Sequence, residues 1–399
     1  MSIWPLVELG NVIDFFNSKR VPLSSLERSL RQGPIPYYGA SGIIDSIDDY
    51  IFDGRYVLIA EDGENLNSRQ LPIAFFADGR FWVNNHAHIV RGKRGMLDDV
   101  FLQKWFAQAD ISGFVTGAAQ PKLSQANLRR ITIPIPPLQI QRKIAAVLSA
   151  YDDHIDNNNR RIQILEEMAR RIYHEWLVEF RHPGYGSVPT IDSPLGRIPK
   201  GWAWKELREL AIECRNGVDP HSVPPETPYV GLEHMPERSI ALAEWGRAVD
   251  AGSRKYEFKA GDVLFGKIRP YFHKVVVPAI SGICSTDAIV IRNRAPEYAS
   301  LVVSVISSDA FVQQAVQTSQ GTKMPRANWV VLERYPVPVP TPQLLQRFQV
   351  LTDDVLRLIH RLVLSTRALA ESRDLWLPRL ISGEIDVTDL DIAMPPAAA

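Results

Sequence analysis

The sequence predicts an α+β protein built twice over. Two globular segments each lead into one long helix, and the two helices pair antiparallel about a pseudo-two-fold internal repeat. Three observations predict this. The tract TGAAQPKLSQANLRRITIPIPPLQ, around Gly117, returns in degraded form as QGTKMPRANWVVLERYPVPVPTPQ. Gly117 with Gly321, Leu128 with Leu332 and Pro134 with Pro338 all keep one separation (338 − 134 = 204). A fixed frame held through loop and helix alike marks a duplicated chain. Second, residues 138–180 and 343–381 carry apolar side chains seven apart, the coiled-coil pattern. Third, the remaining segments hold short β-branched and aromatic runs bounded by turn residues, which read as strands.

Residues 1–137 form the first globular segment, with strands in RYVLIA, LPIAFFA and HAHIVR and a helix in VFLQKWFAQA. Short strands with one or two helices suggest an α+β domain. The tract GPIPYYGASGIID reads as turn-rich, which would expose Tyr37 and Tyr38. His86 and His88 alternate on one strand and suit a polar face. Residues 138–180 are the first long helix, begun after Pro136 and Pro137, which suit a helix start but not its interior. One seam reads Ile144, Tyr151, Asn158, Leu165 and Ile172; its companion reads Leu148, Ile155, Ile162, Ala169 and Trp176. Asn158 sits where a buried amide can fix register. Forty helical residues span about 60 Å, more than a small domain covers, so a partner helix is required.

Residues 181–200, rich in Gly and Pro, read as a linker. The second globular segment, 201–342, restarts the opening pattern, with Trp202, Glu206 and Leu207 matching Trp4, Glu8 and Leu9. Its strands are expected in TPYVGL, DVLFGKI, KVVVPAI and DAIVIR, and its helix in YASLVVSVISS. The second long helix, 343–381, carries the seam Phe348, Val355, Leu362, Leu369 and Trp376. A companion seam starts at Leu351 and Leu358 and turns polar at Ser365. Pro378 is expected to bend or end this helix. Residues 382–399 are a tail whose last residues, AMPPAAA, are expected to be disordered.

Composition narrows the class. The 399 residues are 45% hydrophobic and 23% charged, ordinary for a globular protein. No run approaches the roughly 18–20 apolar residues of a membrane span. The opening MSIWPLVELG lacks a charged leader, so a cytoplasmic rather than secreted protein is expected. Cys214 and Cys284 alone suggest a reducing interior. The 45 basic and 45 acidic residues cancel, which argues against nonspecific coating of nucleic acid and leaves a site-specific reader open.

Catalytic signatures fail. GDVLFGKI approaches a phosphate-cradling loop, but Ile268 stands where a magnesium-binding Ser or Thr is needed. His174-Glu175 lacks the second histidine of a zinc helix, since position 178 is Val178. There is no glycine-rich dinucleotide fingerprint and no Asn/Asp-Pro-Pro-aromatic tract of the kind amino-methyltransferases use; no acid–base pair announces itself, and no metal site is expected. Basic residues near aromatics and amides are more telling. Lys and Arg supply phosphate contacts, and Arg, Asn, Gln and Tyr can read base edges. The candidates are Lys19, Arg20, Tyr37, Tyr38, Ser41, Arg69, Arg91, Lys93 and Arg94 in the first segment. In the second they are Arg254, Lys255, Lys267, Arg269, Tyr271, Lys274, Lys323 and Arg326. Lys122 and Lys323 are taken as a repeated pair beside Gly117 and Gly321.

These motifs carry a resemblance. WPLVELG, IPYYGASGIID, the junction from Pro121-Lys122-Leu123 to IPIPPLQIQRKI, and IYHEWLVEF cover the first half; LGRIPKGW, DVLFGKIRPYF, STDAIVIR and LWLPRLISGEIDV cover the second. In this order, and duplicated, they resemble the specificity subunit of type I restriction–modification systems. The resemblance implies two target-recognition domains, each reading one half of a split DNA site, with the helix pair setting the spacing. It implies two copies of a modification (methyltransferase) subunit and a motor-nuclease restriction subunit as partners. It implies that the chain is not itself an enzyme, and no cofactor is then expected on it: S-adenosylmethionine, ATP and magnesium belong to the partners. Arg160, Arg161, Arg170 and Arg171 are candidate docking residues on the first helix. The alternative is a non-catalytic coiled-coil adaptor with protein partners only.

Overall fold

The structure is a computed structural model and describes residues 3–117, 119–184, 186, 189–193, 195–321 and 323–393. The predicted disorder of 394–399 therefore lies outside the described residues. The chain divides into two compact units, Met1–Asp153 with Ala370–Ala399, and His154–Leu369. The division cuts both long helices, Leu138–Tyr173 and Pro342–Ser382, so each unit holds one end of each helix.

In the first unit an antiparallel sheet runs Ile13–Phe15, Ala87–Gly92, Tyr56–Ala60, Ala74–Ala77 in spatial order. Its centre is apolar on both faces, with Val57, Leu58, Ile59, Ile89 and Val90 all fully buried, because helix Asp99–Gln108 covers one side and a second sheet the other. Asp98 caps that helix, its carboxylate accepting from the Val100 and Phe101 amides, the orphan donors of a first turn. In the second sheet Gln32–Gly39 pairs antiparallel with Gly42–Ile47 and parallel with Arg80–Val83. The tract expected to be turns is thus a hairpin, because its glycines close the turn while Ile35 faces Ile47 across the strands and Tyr37 is buried with Ile47 and Trp82. Tyr37 is 0% exposed, contrary to expectation, and its hydroxyl accepts from the Leu23 amide at 3.0 Å. The opening strand Leu6–Glu8 pairs with Thr132–Pro134.

The second unit repeats this plan. Its four-stranded sheet runs Ala211–Cys214, Ala288–Asn293, Val263–Gly266, Val275–Val276. Ala203–Glu206 pairs with Pro336–Val339 as Leu6–Glu8 pairs with Thr132–Pro134. Its second sheet again contains one parallel pair, Pro228–Val230 beside Gly282–Cys284. Helix Ala299–Ile306 takes the place of Asp99–Gln108, followed by a helix, Asp309–Gln317, that the first unit lacks among its described residues. Residues 181–200 are not featureless: Thr190–Ile191 pairs with Ile198–Pro199, and Ile198 is buried with Trp202.

The helices pack antiparallel within each unit. In the second, Trp176 meets Phe348 at 6.4 Å between ring centroids, and Ile162 is buried with Ile359, Leu362 and Val363. In the first, Ile140, Ile144 and Leu148 are buried with Leu377, Leu380 and Ile381, and Asp152 accepts from Arg373 at 2.7 Å. Two seam assignments need correction. On the second helix the buried companions of Phe348 are Thr352, Ile359 and Thr366, whereas Leu351 is 44% exposed and Ser365 faces outward. The repeat frame itself places Thr352 opposite the first helix's Leu148, four residues rather than three after the seam residue. Trp376 is 37% exposed and Leu377 is buried instead. A straight helix drifts about 20° per heptad against a seven-residue repeat, so four heptads past Phe348 the buried stripe has moved on by almost one residue.

Pro378 does not end the helix, which continues to Ser382. The lost hydrogen bond falls in the last two turns, where Leu377, Leu380 and Ile381 anchor the backbone through burial. The first helix changes to a wider π-helical turn at His174–Val178, which turns Leu177 fully into the core. Its buried Glu166 accepts from Ser239 Oγ (2.7 Å) and from the amides of Ile240 (2.8 Å) and Ala241 (3.1 Å), fixing that loop to the helix.

Candidate functional site

The repeated loop builds an equivalent place in each unit. Gly117 and Gly321 have φ +88° and +100°, and a Cβ on Gly117 would lie 2.4 Å from the Gln120 carbonyl, so the tight turn requires glycine. After the turn, Thr116 bridges Lys122 in the first unit, and Gln320 bridges Arg326 in the second. The next amides reach the same strand end: Leu123 N donates to Glu61 O at 2.7 Å, and Ala327 N donates to Lys267 O at 2.8 Å. Ser124 and Asn328 then cap the short helices that follow. This correspondence pairs Lys122 with Arg326, not with Lys323 as the sequence reading had it. Strand register extends it: Glu61 corresponds to Lys267, His88 to Ile289, Asn17 to Arg215 and Gln125 to Trp329.

In the first unit these positions form a closed polar knot. His88, fully buried, donates from Nε2 to the Leu123 carbonyl at 2.7 Å, which leaves Nδ1 to accept from Asn17 Nδ2 at 2.9 Å. The strand alternation had suggested a polar face for His88, but its ring is interior because each nitrogen finds a partner there. Asn17 Nδ2 also donates to Gln125 Oε1 at 2.8 Å. Glu61 accepts from Arg20 at 2.6 Å and lies 3.5 Å from Lys122 Nζ and 3.6 Å from His88 Nδ1. Burial disfavours the Glu61 carboxylate, but the Arg20 hydrogen bond and the charges of Arg20 and Lys122 outweigh it and hold its pKa below the usual value. Burial pushes the His88 pKa down, which keeps the ring neutral.

In the second unit the same positions surround an opening of about 390 Å³, lined by Arg215, Lys267, Ile289, Arg326 and Trp329 together with Tyr256 and Asn328. Lys267 donates to the Thr286 carbonyl and lies 4.0 Å from Asp287. Arg215 pairs with Glu213 at 2.7 Å. Arg269, in left-handed conformation at φ 49°, is tied by its amide to the Pro325 carbonyl, so Lys267, Arg269 and Arg326 share one edge.

The other predicted residues divide. Lys323 lies exposed in the same loop as Arg326, and Tyr271, 52% exposed, packs on Phe272 beside Arg269. Arg254 is exposed beside Gly217. Lys255, by contrast, is 5% exposed and bound to Ser253, and Lys274 donates to the Leu232 carbonyl at 2.7 Å, so both serve the interior. In the first unit Lys19 lies over the Phe16 ring, Arg20 belongs to the polar knot, and Tyr38 is half-buried against Phe75 and Phe81. Ser41 is exposed at the hairpin turn. Arg69 caps a helix end through the Phe106 and Ala109 carbonyls. Arg91 lies over Tyr56 and donates to the Arg55 carbonyl at 2.7 Å. Arg91, Lys93 and Arg94 follow the far end of strand Ala87–Gly92 from Arg20, so the first unit's basic residues do not converge. Arg170 and Arg171 pair with Glu167, while Arg160 and Arg161 are exposed. Of the helix seam, Ile144, Asn158, Phe348 and Leu362 are buried; Tyr151, Leu165, Ile172, Val355 and Leu369 are half-buried.

Sequence reasoning missed Glu61, Asn17, Gln125, Arg215 and Asn328; the 204-residue frame, which sets Asn328 against Ser124, is the signal that could have found the last. A larger groove of about 1260 Å³ runs along the end of the first helix in the second unit, between Tyr173, Trp204, Val303 and Tyr335. Its rim mixes Arg170, Glu175, Arg238 and Asp309, whereas three cations and one carboxylate, Glu213, line the opening near Arg326. Cys284 is buried, its thiol pushed up to about 12 by burial, and both cysteines are free. No single helix among the described residues is long and apolar enough to cross a membrane.

Residues 1–167 match the type I restriction modification DNA specificity domain. A Haemophilus influenzae sequence assigned to the type I restriction enzyme specificity subunits is 41% identical over 148 residues, which are 37% of this chain and 36% of that one. The EcoDI specificity subunit of Escherichia coli is 21% identical over 374 residues, 87% of this chain and 79% of that one. A crystal structure of the S subunit of a type I restriction–modification system from M. genitalium shares the fold, with a TM-score of 0.62 at 13% identity over 95% of this chain and 96% of that one. The sequence likeness to type I specificity subunits is thus strongest over the first 167 residues, and the chain spans about a third of the length of the Haemophilus influenzae relative.

Proposed function

We propose that this chain selects the DNA sequence on which a type I restriction–modification complex acts, each globular segment reading one half of a split, asymmetric site. The observation that carries this reading is the contrast at equivalent positions: the same loop, held by the same backbone bonds, presents Glu61 in one unit and Lys267 in the other. Identical scaffolds with unlike edges suit two different half-sites. Direct readout turns on which side chains meet the base edges, while the scaffold only positions them. The domain limits 1–137 and 201–342 bound the two readers, and the helix pair sets the spacing between half-sites. Two readers on one face of B-DNA lie about one helical turn, roughly 34 Å, apart. Exposed Arg160 and Arg161 suit docking of two methyltransferase subunits, through which the motor-nuclease subunit joins. S-adenosylmethionine, ATP and magnesium are assigned to those partners, and the assembly to the cytoplasm. Co-expression with a cognate methyltransferase subunit, followed by mapping of methylated adenines, tests the reading. A two-part, asymmetric motif is expected; methylation with no dependence on this chain would overturn it.

A further inference from the structure

The polar knot of the first unit and the opening of the second occupy the same place in the repeated fold, and they treat charge in opposite ways. In the first, every cation is answered from within: Arg20 and Lys122 both meet Glu61. In the second, Glu61 is replaced by Lys267 and Asn17 by Arg215, so three cations, Arg215, Lys267 and Arg326, line one opening against the single carboxylate of Glu213. Among the described residues the guanidinium of Arg326 has neither a hydrogen bond nor an ion pair. Asn328 spends its Oδ1 on the Val330 amide at 3.1 Å, leaving its amide nitrogen as a further donor toward the opening. Asp287, at 4.0 Å from Lys267 Nζ, offsets part of that charge. A cluster of like charges held together by the backbone is stable only where an anion or water offsets their repulsion.

We propose that this opening in the second unit binds a backbone phosphate of DNA, with Arg326, Lys267 and Arg215 as its cations, and that the first unit has no counterpart because Glu61 closes the equivalent place. The inference rests on the reading of this chain as a DNA-specificity subunit. It makes the two heads unequal: the second carries phosphate affinity at this position, while the first depends on other contacts. Each phosphate neutralised contributes about 0.9 to the slope of log K against log salt.

The test is salt-dependent binding of a fluorescent duplex by the full chain, comparing wild type, Arg326→Gln, the double variant Arg215→Gln/Arg326→Gln, and Lys122→Gln, the equivalent change in the first unit. Arg326→Gln should flatten the salt slope and the double variant should flatten it by about 0.9, the share of one phosphate, whereas Lys122→Gln leaves it unchanged. An unaltered slope in Arg326→Gln, or equal flattening in Lys122→Gln, overturns the phosphate site while the specificity reading stands. Loss of any salt-dependent DNA binding by the wild-type chain overturns both. Circular dichroism of each variant separates a lost contact from a lost fold.

Discussion

The two halves of this chain share a loop, a glycine turn and a set of backbone hydrogen bonds, yet they place Glu61 and Lys267 at the same point of that frame. In the first half the position closes a polar knot; in the second it lines an opening beside Arg326, whose guanidinium has no polar partner among the described residues. The difference teaches that duplication conserved the support and released the edge. What the scaffold needs, such as the glycine at φ near +90° and the paired strands, recurs, while the side chains that would meet a partner do not.

The comparison can be broken first at the closed side. Glu61→Ala leaves Arg20 facing only carbonyls in a half-buried place and should lower stability by about 3–5 kcal/mol. Lys267→Ala should be far milder in thermal denaturation, because the opposing pocket is solvated. Equal losses would show that the two edges are the same kind of structure after all.

The helices offer the next contrast. Ile359→Ala should lower the melting stability by about 2–5 kcal/mol, whereas Leu351→Ala, at an exposed position, should stay within about 0.5 kcal/mol. The reverse order would restore the seam read from the sequence. Third, reversing charge at both Lys267 and Arg269 should weaken recognition of one half-site by roughly 1–3 kcal/mol per contact and spare the other. Duplexes altered in one half at a time measure this, and equal loss for both halves would contradict reading by separate heads.

The smallest effect concerns acid. His88 is held neutral with its pKa below 6.5, so the folded chain refuses a proton that the unfolded chain accepts. Its contribution is complete above about pH 6.5 and declines as pH falls, by about 1.4 kcal/mol per pH unit until the folded ring titrates. Glu61, with its pKa depressed below 4.5, adds a further loss only at lower pH, as its folded-state carboxylate becomes protonated. His88→Gln should therefore flatten the stability profile just below pH 6.5. His273 and His360, also lowered by burial, leave a residual slope in the second unit.

Much of this was legible beforehand. The strands around Val57 and Val263, the two long helices and the duplicated loop follow from periodicity and the 204-residue frame. The reading failed where periodicity underdetermines burial. Tyr37 lies among glycines and prolines that look like turns, but they close a hairpin that buries it. Trp376 keeps the heptad, but helical drift moves the buried stripe to Leu377. The candidate site was harder still, because a lysine in sequence shows its charge and not its partner: Lys255 and Lys274 spend theirs on carbonyls within the fold. Glu61 and Lys267 become comparable only once strand register aligns them.

One measurement goes to the centre of the account. In the co-expressed methyltransferase complex, the second recognition segment is replaced, in the frame of the repeat, by a second copy of the first, and methylated adenines are mapped. Two independent heads on one duplicated scaffold predict that the asymmetric site becomes an inverted repeat of the first half-site. A folded, active complex that still methylates the original asymmetric site would contradict it.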